Sequence, residues 1–257
     1  MNTLYLEYRI IKDRPGLLGD VASLLGLLDI NIKKVSSLEE NRRGFLLEIP
    51  DNKEEKNLLE NLKSTSELEQ VVLRKPCLED FLALKHGKKL SLRYDGNKYC
   101  FSRTELELLL DFLSHYISSN SYAKIGLKGA PKIGKTETAI AAAVHANKQW
   151  RLLSTTLLRK IAVEKLPSED IRSDTVFIVD AITTFYRSSA AHIRCIKKFI
   201  EEAESTVIIE HPRVFVEESS CSADIFDVQI ELTSHRLDGE ENKINDYIKS
   251  FNSFDIS

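Results

Sequence analysis

"GAPKIGKTET", residues 129–138, decides how the second half of this 257-residue chain is read. Gly129, Gly134, Lys135 and Thr136 fill the pattern G-x-x-x-x-G-K-[ST] completely. In that spacing backbone amides cradle phosphates, the lysine meets the β- and γ-phosphates, and the hydroxyl reaches a magnesium ion. The pattern carries this meaning only between a strand and a helix. "YAKIGLKG" (122–129) alternates as a short strand, and "TETAIAAAVHANK" (136–148) is alanine-rich and free of helix breakers. The predicted nucleotide-binding residues are Gly129, Ala130, Pro131, Lys132, Ile133, Gly134, Lys135, Thr136 and Glu137. Pro131 has no amide hydrogen to offer, and Lys135 reads as a solvent-facing charge.

Such a loop needs a carboxylate near its metal. "TVFIVDAI" (175–182) supplies Asp180 at the end of an apolar run, as in a parallel strand buried on both faces. Asp180 reads as a metal ligand beside Thr136; its other reading is the cap of a following helix. "WRLLSTTLLRKIAVEKL" (150–166) gives a strand and a helix between the two motifs. "SSAAHIRCIKKFIEEAE" (188–204) is a helix, and "STVIIEH" (205–211) is another buried strand. The alternation predicts a three-layer αβα domain over 121–236, with four clear parallel strands and a ligand at their carboxyl ends. Ala181 follows Asp180, where many efficient ATPases carry a water-activating glutamate. Glu210 and His211 are the candidate catalytic bases at the same sheet end, or simply a strand end turned by Pro212. Arg187 is a candidate to reach a γ-phosphate, or a solvated loop arginine. No N-K-x-D tetrad for guanine is present, so the expected cofactors are ATP rather than GTP, and Mg²⁺.

Residues 1–76 follow a different grammar. "TLYLEYRIIK" (3–12) alternates, "GLLGDVASLLGLLD" (16–29) has helical apolar spacing, and "INIKKVSSL" and "GFLLEIP" are two more strands. "NKEEKNLLENLKS" (52–64) is an amphipathic helix capped by Asp51 or Asn52, and "LEQVVLRK" (68–75) is a fourth strand. The order βαββαβ is the ferredoxin-like split unit. On "DRPGLLGDVASLLGLLDINI" and that order, the segment resembles an ACT domain, a small regulatory module that binds amino acids and similar ligands. The resemblance implies a ligand near Asp13, Arg14, Pro15, Gly16 and Leu17, with Asn31 at the start of the second strand, and often an interface between two such domains. The other reading of the loop is a tight strand-to-helix turn. The first strand puts Leu4, Leu6, Tyr8 and Ile10 on one side and Tyr5, Glu7, Arg9 and Ile11 on the other. Two helices cover the apolar side. The mixed side, left open, is too charged for stacking, so a homodimer through sheet edges or helix contact is expected.

Between the domains, 77–120 reads as a helix–hairpin–helix connector. It comprises "LEDFLALKHG" ending at a glycine, two strands about Asp95–Gly96–Asn97, and "SRTELELLLDFLSHYISS" opened by Ser102 or Arg103 with Glu105 completing a capping box. Tyr94, Tyr99 and Phe101 read as hairpin packing or a binding face.

The whole composition narrows the classes. Thirty-six Lys and Arg against 39 Asp and Glu give a net charge of −3, with no basic block, so neither nucleic acid nor membrane is an expected partner. No apolar run approaches the roughly 20 residues of a spanning helix. The N-terminus lacks a signal layout, and a cytoplasmic location is expected. The four cysteines are far apart and the six histidines scattered, which suits reduced thiols and offers no metal-ligand spacing.

Over residues 1 to about 235 the chain is similar to the YmfK-like proteins of spore-forming Gram-positive bacteria. The stretches "RPGLLGDVASLLG", "LALKHG", "GAPKIGKTET", "ANKQW", "LSTTLL", "VFIVDAI" and "EHPRVFV" carry that similarity. It implies the two-module architecture, α+β followed by α/β, and names no reaction. The acidic tail 237–257 reads as disordered, with Phe251 and Phe254 as a short partner motif or plain solvated residues. The function expected is a nucleotide-binding regulatory protein that couples an ACT-type sensor to Mg-ATP, with slow or no hydrolysis. The alternatives are a P-loop kinase for a small molecule and a non-catalytic nucleotide-binding scaffold.

Overall fold

A computed structural model describes residues 2–39, 41–50, 55–89, 93–94, 97–120, 122–153, 174–186 and 189–234. The chain divides into two compact units, Met1–Ser91 and Leu92–Ser257. The first unit runs β1 (Asn2–Ile10), α1 (Leu17–Leu27), β2 (Asn31–Leu38), β3 (Arg42–Ile49), α2 (Glu55–Lys63), β4 (Leu68–Arg74) and α3 (Leu78–His86). Its four strands pair antiparallel in the order β2-β3-β1-β4. Leu4, Leu6, Tyr8 and Ile10 of β1 form one core with Leu17, Val21 and Leu25 of α1 and Leu58 and Leu62 of α2.

The opposite face is not open, contrary to the expectation from the alternating strand. Tyr5 and Glu7 are only 0% and 4% exposed. Helix α3 packs against β2 and β3. Gly44 permits that approach: a Cβ there would lie 2.8 Å from Tyr5 Oη and 3.2 Å from Leu84 Cδ2. A charge sits on this face because it is paired. Glu7 accepts hydrogen bonds from Tyr5 Oη at 2.9 Å and Arg42 Nη1 at 2.9 Å, and is also bonded by Lys89. Arg74 grips Asp80, at the start of α3, with both guanidinium nitrogens (2.5 and 2.7 Å) and lies over the Tyr5 ring. Asp80 also accepts from the Cys77 amide at 2.9 Å. The helix at 78–86, read as connector, therefore belongs to the first unit.

The second unit opens with β5 (Arg93–Tyr94), β6 (Lys98–Ser102) and α4 (Leu106–Ser119). β7 (Lys124–Gly129), α5 (Lys135–His145), β8 (Gln149–Leu153), β9 (Thr175–Asp180) and α6 (Ala181–Phe185) follow. α7 (Ala190–Glu202), β10 (Thr206–Glu210), α8 (Pro212–Ser219) and β11 (Val228–Thr233) complete it. The sheet order is β5-β6-β11-β7-β10-β9-β8. Every pair from β6 to β8 is parallel, and only β5 is antiparallel. Six parallel strands result, where the sequence pattern gave four. β6 keeps its antiparallel pairing with β5 and on its other edge pairs in parallel with β11, whose "VQIELT" carries too short a pattern to stand out.

Both faces of this sheet are covered. Phe177 and Val179 of β9 and Val207 and Ile209 of β10 pack with Phe199 and Ile200 of α7 and Val214 and Phe215 of α8. The alternate residues Val176, Ile178 and Ile208 are equally buried, and α5 packs against β7, β9 and β10. That explains why these strands read as continuous apolar runs. Tyr99 and Phe101 pack with tilted rings against Phe112 of α4, at 4.6 and 5.8 Å between ring centroids, so they are core and not a binding face. The predicted capping box is present, with the Ser102 amide donating to Glu105 Oε2 at 3.0 Å. Arg187, the helix expected within 150–166 beyond Leu153, the turn at Asp95–Gly96, the Asp51 or Asn52 cap and the tail with Phe251 and Phe254 lie outside the described residues. No helix among the described residues is long and apolar enough to cross a membrane.

Candidate functional site

β7 ends at Gly129, and α5 begins at Lys135 after five intervening residues. The loop needs glycine for two separate reasons. At Gly129 (φ 155°) a Cβ would sit 2.8 Å from the Leu232 carbonyl oxygen, so β11 leaves no room for one. Gly134 (φ 99°) takes a left-handed turn into α5, and a Cβ there would meet nothing closer than Glu137 Oε2 at 3.9 Å. The Gly134 position thus opens on free space at the mouth of the loop. The first bond into the helix runs from the Thr138 amide to Gly134 O at 2.9 Å. The first turn of an α-helix leaves its leading amides unused by the helix ladder, and here that turn opens on the loop 129–134. This is the arrangement that binds phosphate.

Lys135 is not solvent-facing. It is 6% exposed, and its Nζ donates to the carbonyl oxygens of Gly129 and Ala130, each at 3.0 Å. The stem is buried and the ammonium is folded back across its own loop. Thr136 Oγ1 donates to Glu210 Oε1 at 2.6 Å. Glu210 is 4% exposed, and burial pushes its pKa up, against the lowering effect of the Thr136 hydroxyl.

Glu210 and Asp180 stand opposite each other at the carboxyl ends of β10 and β9. Asp180 caps α6: its Oδ1 accepts from the amides of Ile182 at 3.0 Å and Thr183 at 3.3 Å. The cap reading of Asp180 is thus present, and it uses a single carboxylate oxygen at the carboxyl end of β9. His211 takes a left-handed conformation (φ 57°, ψ 58°) and turns the chain from β10 into α8, with its amide donating to Leu127 O at 3.1 Å. Glu210, one of the two candidate bases, is bonded to Thr136 at the end of the glycine loop.

Whether these residues suit Mg²⁺ can be judged from the donor set. No cluster of three or more His, Cys, Asp or Glu able to hold a metal occurs among the described residues. Mg²⁺ does not need one: it binds through one or two protein oxygens together with phosphate and water. The Thr136 hydroxyl and the Asp180 carboxylate fit that requirement.

In the first unit, a cleft of about 430 Å³ lies at the start of α1, lined by Asp13, Arg14, Pro15, Gly16, Leu17, Leu18 and Arg43. Five of these are the residues the sequence singled out. Gly16 (φ 88°) makes the turn into the helix. Arg14 is already engaged, bonding Asp20 at 2.6 Å and Glu67 at 3.3 Å. Asn31 does not line the cleft; its amide donates to Glu48 Oε2 at 3.2 Å.

Arg43 was invisible in the sequence, because it reaches the cleft through strand register. It pairs with Tyr8 across β1 and β3. Arg43 Nη1 and the Tyr8 hydroxyl are both buried and lie close together, with no partner of good hydrogen-bond geometry among the described residues. Burial raises the Tyr8 pKa, while the adjacent Arg43 charge opposes that rise.

Known proteins resemble this chain in sequence and in structure. Residues 70–255 match the protein family described as "Protein of unknown function (DUF3388)". The sequence is 38% identical over 229 residues to "Uncharacterized protein YmfK" of Bacillus subtilis (strain 168), covering 89% of this chain and 85% of the relative. Among solved structures, the Thermotoga maritima RuvB Holliday junction branch migration motor is 17% identical with a TM-score of 0.35, over 51% of this chain and 43% of that one. A point variant of the same motor is 16% identical with a TM-score of 0.36, over 58% and 50% of the two chains. The match spans half or less of the length of those two solved chains.

Proposed function

This chain belongs to the YmfK-like family described as "Protein of unknown function (DUF3388)", and from that premise we propose that it is a nucleotide-binding regulatory protein. The Leu92–Ser257 unit takes Mg-ATP at Gly129–Glu137, and the Met1–Ser91 unit senses a small ligand at Asp13–Leu17. The observation that carries the first half is the complete phosphate loop between β7 and α5, with Thr136 and Asp180 at the same sheet end. In this reading Lys135 leaves its own loop carbonyls to meet the β- and γ-phosphates, and Thr136 and Asp180 hold the magnesium. Bound Mg²⁺ would neutralise phosphate charge. Hydrolysis is slow or absent, since Ala181 follows Asp180.

The second half is supported by the cleft at α1. It offers a carboxylate (Asp13), a guanidinium (Arg43) and a helix N-terminus, a set that suits a small zwitterion such as an amino acid. The location proposed is the cytoplasm, with no nucleic-acid or membrane partner. The chain is proposed to form a homodimer through the first unit. With both sheet faces covered within one chain, β2 and β4 are the edges left for pairing. Light scattering that finds only monomer at micromolar concentration would remove this part.

The direct experiment is a thermal-shift series with ATP, GTP and amino acids, with and without Mg²⁺, followed by measurement of ADP with candidate acceptors. A ligand that binds only the folded state raises its stability by mass action. ADP formed only with an acceptor identifies the kinase alternative. Nucleotide binding with no turnover and no coupling to an amino acid identifies the scaffold alternative. Asp180→Asn is expected to weaken Mg-ATP more than metal-free ATP, because the carboxylate acts through the ion. Equal losses under both conditions assign Asp180 to the helix cap alone.

A further inference from the structure

The carboxylate that holds the Thr136 hydroxyl is Glu210, on the strand next to the phosphate-loop strand. In the order β7-β10-β9, Asp180 lies one strand further out, about 4.8 Å further along the sheet. Thr136 has a single hydroxyl hydrogen, and it is committed to Glu210 Oε1 at 2.6 Å. An oxygen whose hydrogen is spent this way has only lone pairs left, so any further partner must be a donor or a cation. Glu210 is itself held firmly: it is 4% exposed and sits at the end of a strand paired on both sides.

We propose that Glu210 is a positioning residue of the metal site, fixing the Thr136 hydroxyl so that its oxygen is offered to Mg²⁺. It acts through Thr136, neither as a base toward water nor as a direct ligand. Outer partners of metal ligands orient them and raise their donor strength, and losing one costs about 10- to 100-fold in metal affinity. This inference rests on the reading of 129–137 as a Mg-nucleotide site, and it replaces the role of Glu210 as a candidate base.

The test uses the full chain and reads the ratio of ATP affinity with Mg²⁺ to that in EDTA. Glu210→Met removes the acceptor at similar length, and the ratio is expected to fall about 10- to 100-fold. Glu210→Gln keeps a neutral acceptor in the same volume, and its ratio is expected to fall less, by about tenfold at most. A role in packing alone would lower affinity equally with and without Mg²⁺, leaving the ratio at the wild-type value. That result overturns the proposal while the nucleotide-site reading stands. If Glu210→Met does not fold, Glu210→Gln decides: a lowered ratio supports the proposal and an unchanged one overturns it. If the wild-type chain binds no nucleotide in either condition, the reading of the loop fails, and the proposal with it.

Discussion

Lys135→Met is expected to abolish the stabilisation that Mg-ATP confers. At a nucleotide concentration 100 times the dissociation constant, a ligand specific to the folded state adds about 2.7 kcal/mol. For a unit of this size that is a rise of roughly 5–10 °C in melting temperature, and the variant should show none of it. Methionine retains the buried stem of a side chain that is 6% exposed, so packing around α5 is largely preserved. The variant also loses the bonds from Nζ to the Gly129 and Ala130 carbonyls, a cost of about 1–3 kcal/mol that lowers the ligand-free melting temperature. The decisive quantity is thus the shift produced by nucleotide within each protein, not the absolute melting temperature. A variant shifted by ATP as far as the wild type would show that the loop is not the phosphate site.

Glu7→Ala is expected to destabilise the first unit by at least about 3 kcal/mol, because removing one partner of a buried ion pair strands the others. The Glu7 side chain is 5% exposed; Arg42, at 18%, is its most enclosed charged partner, while Lys89, at 41%, can turn to water. Tyr5, wholly buried, loses the acceptor for its hydroxyl as well. For a domain of this size the melting temperature should fall by roughly 12–24 °C. Glu7→Gln, which keeps an acceptor for Tyr5 and Arg42, should fall less. A melting temperature within about a degree of wild type for Glu7→Ala would mean that α3 does not seal this face in solution.

The local order of both units was legible in the sequence, because period-2 and helical apolar patterns and the spacing of Gly129, Gly134, Lys135 and Thr136 are properties of neighbours along the chain. The loop at Asp13–Leu17 was reached through the resemblance to ACT domains, and the left-handed turn of Gly16 into α1 was given by the structure. The tertiary structure decided what depends on partners far apart in sequence. Helix α3, from "LEDFLALKHG", looked like a connector, and only the close approach at Gly44 and the Arg74–Asp80 pair place it over the first sheet. Arg43 enters the α1 cleft because antiparallel register sets it opposite Tyr8. β6 joins the second sheet because β11 accepts it in parallel. Glu210 holds Thr136, 74 positions away, because β10 and not β9 lies beside β7. Strand order is set by which faces and edges can be buried together, a condition on the whole sheet that no single segment records.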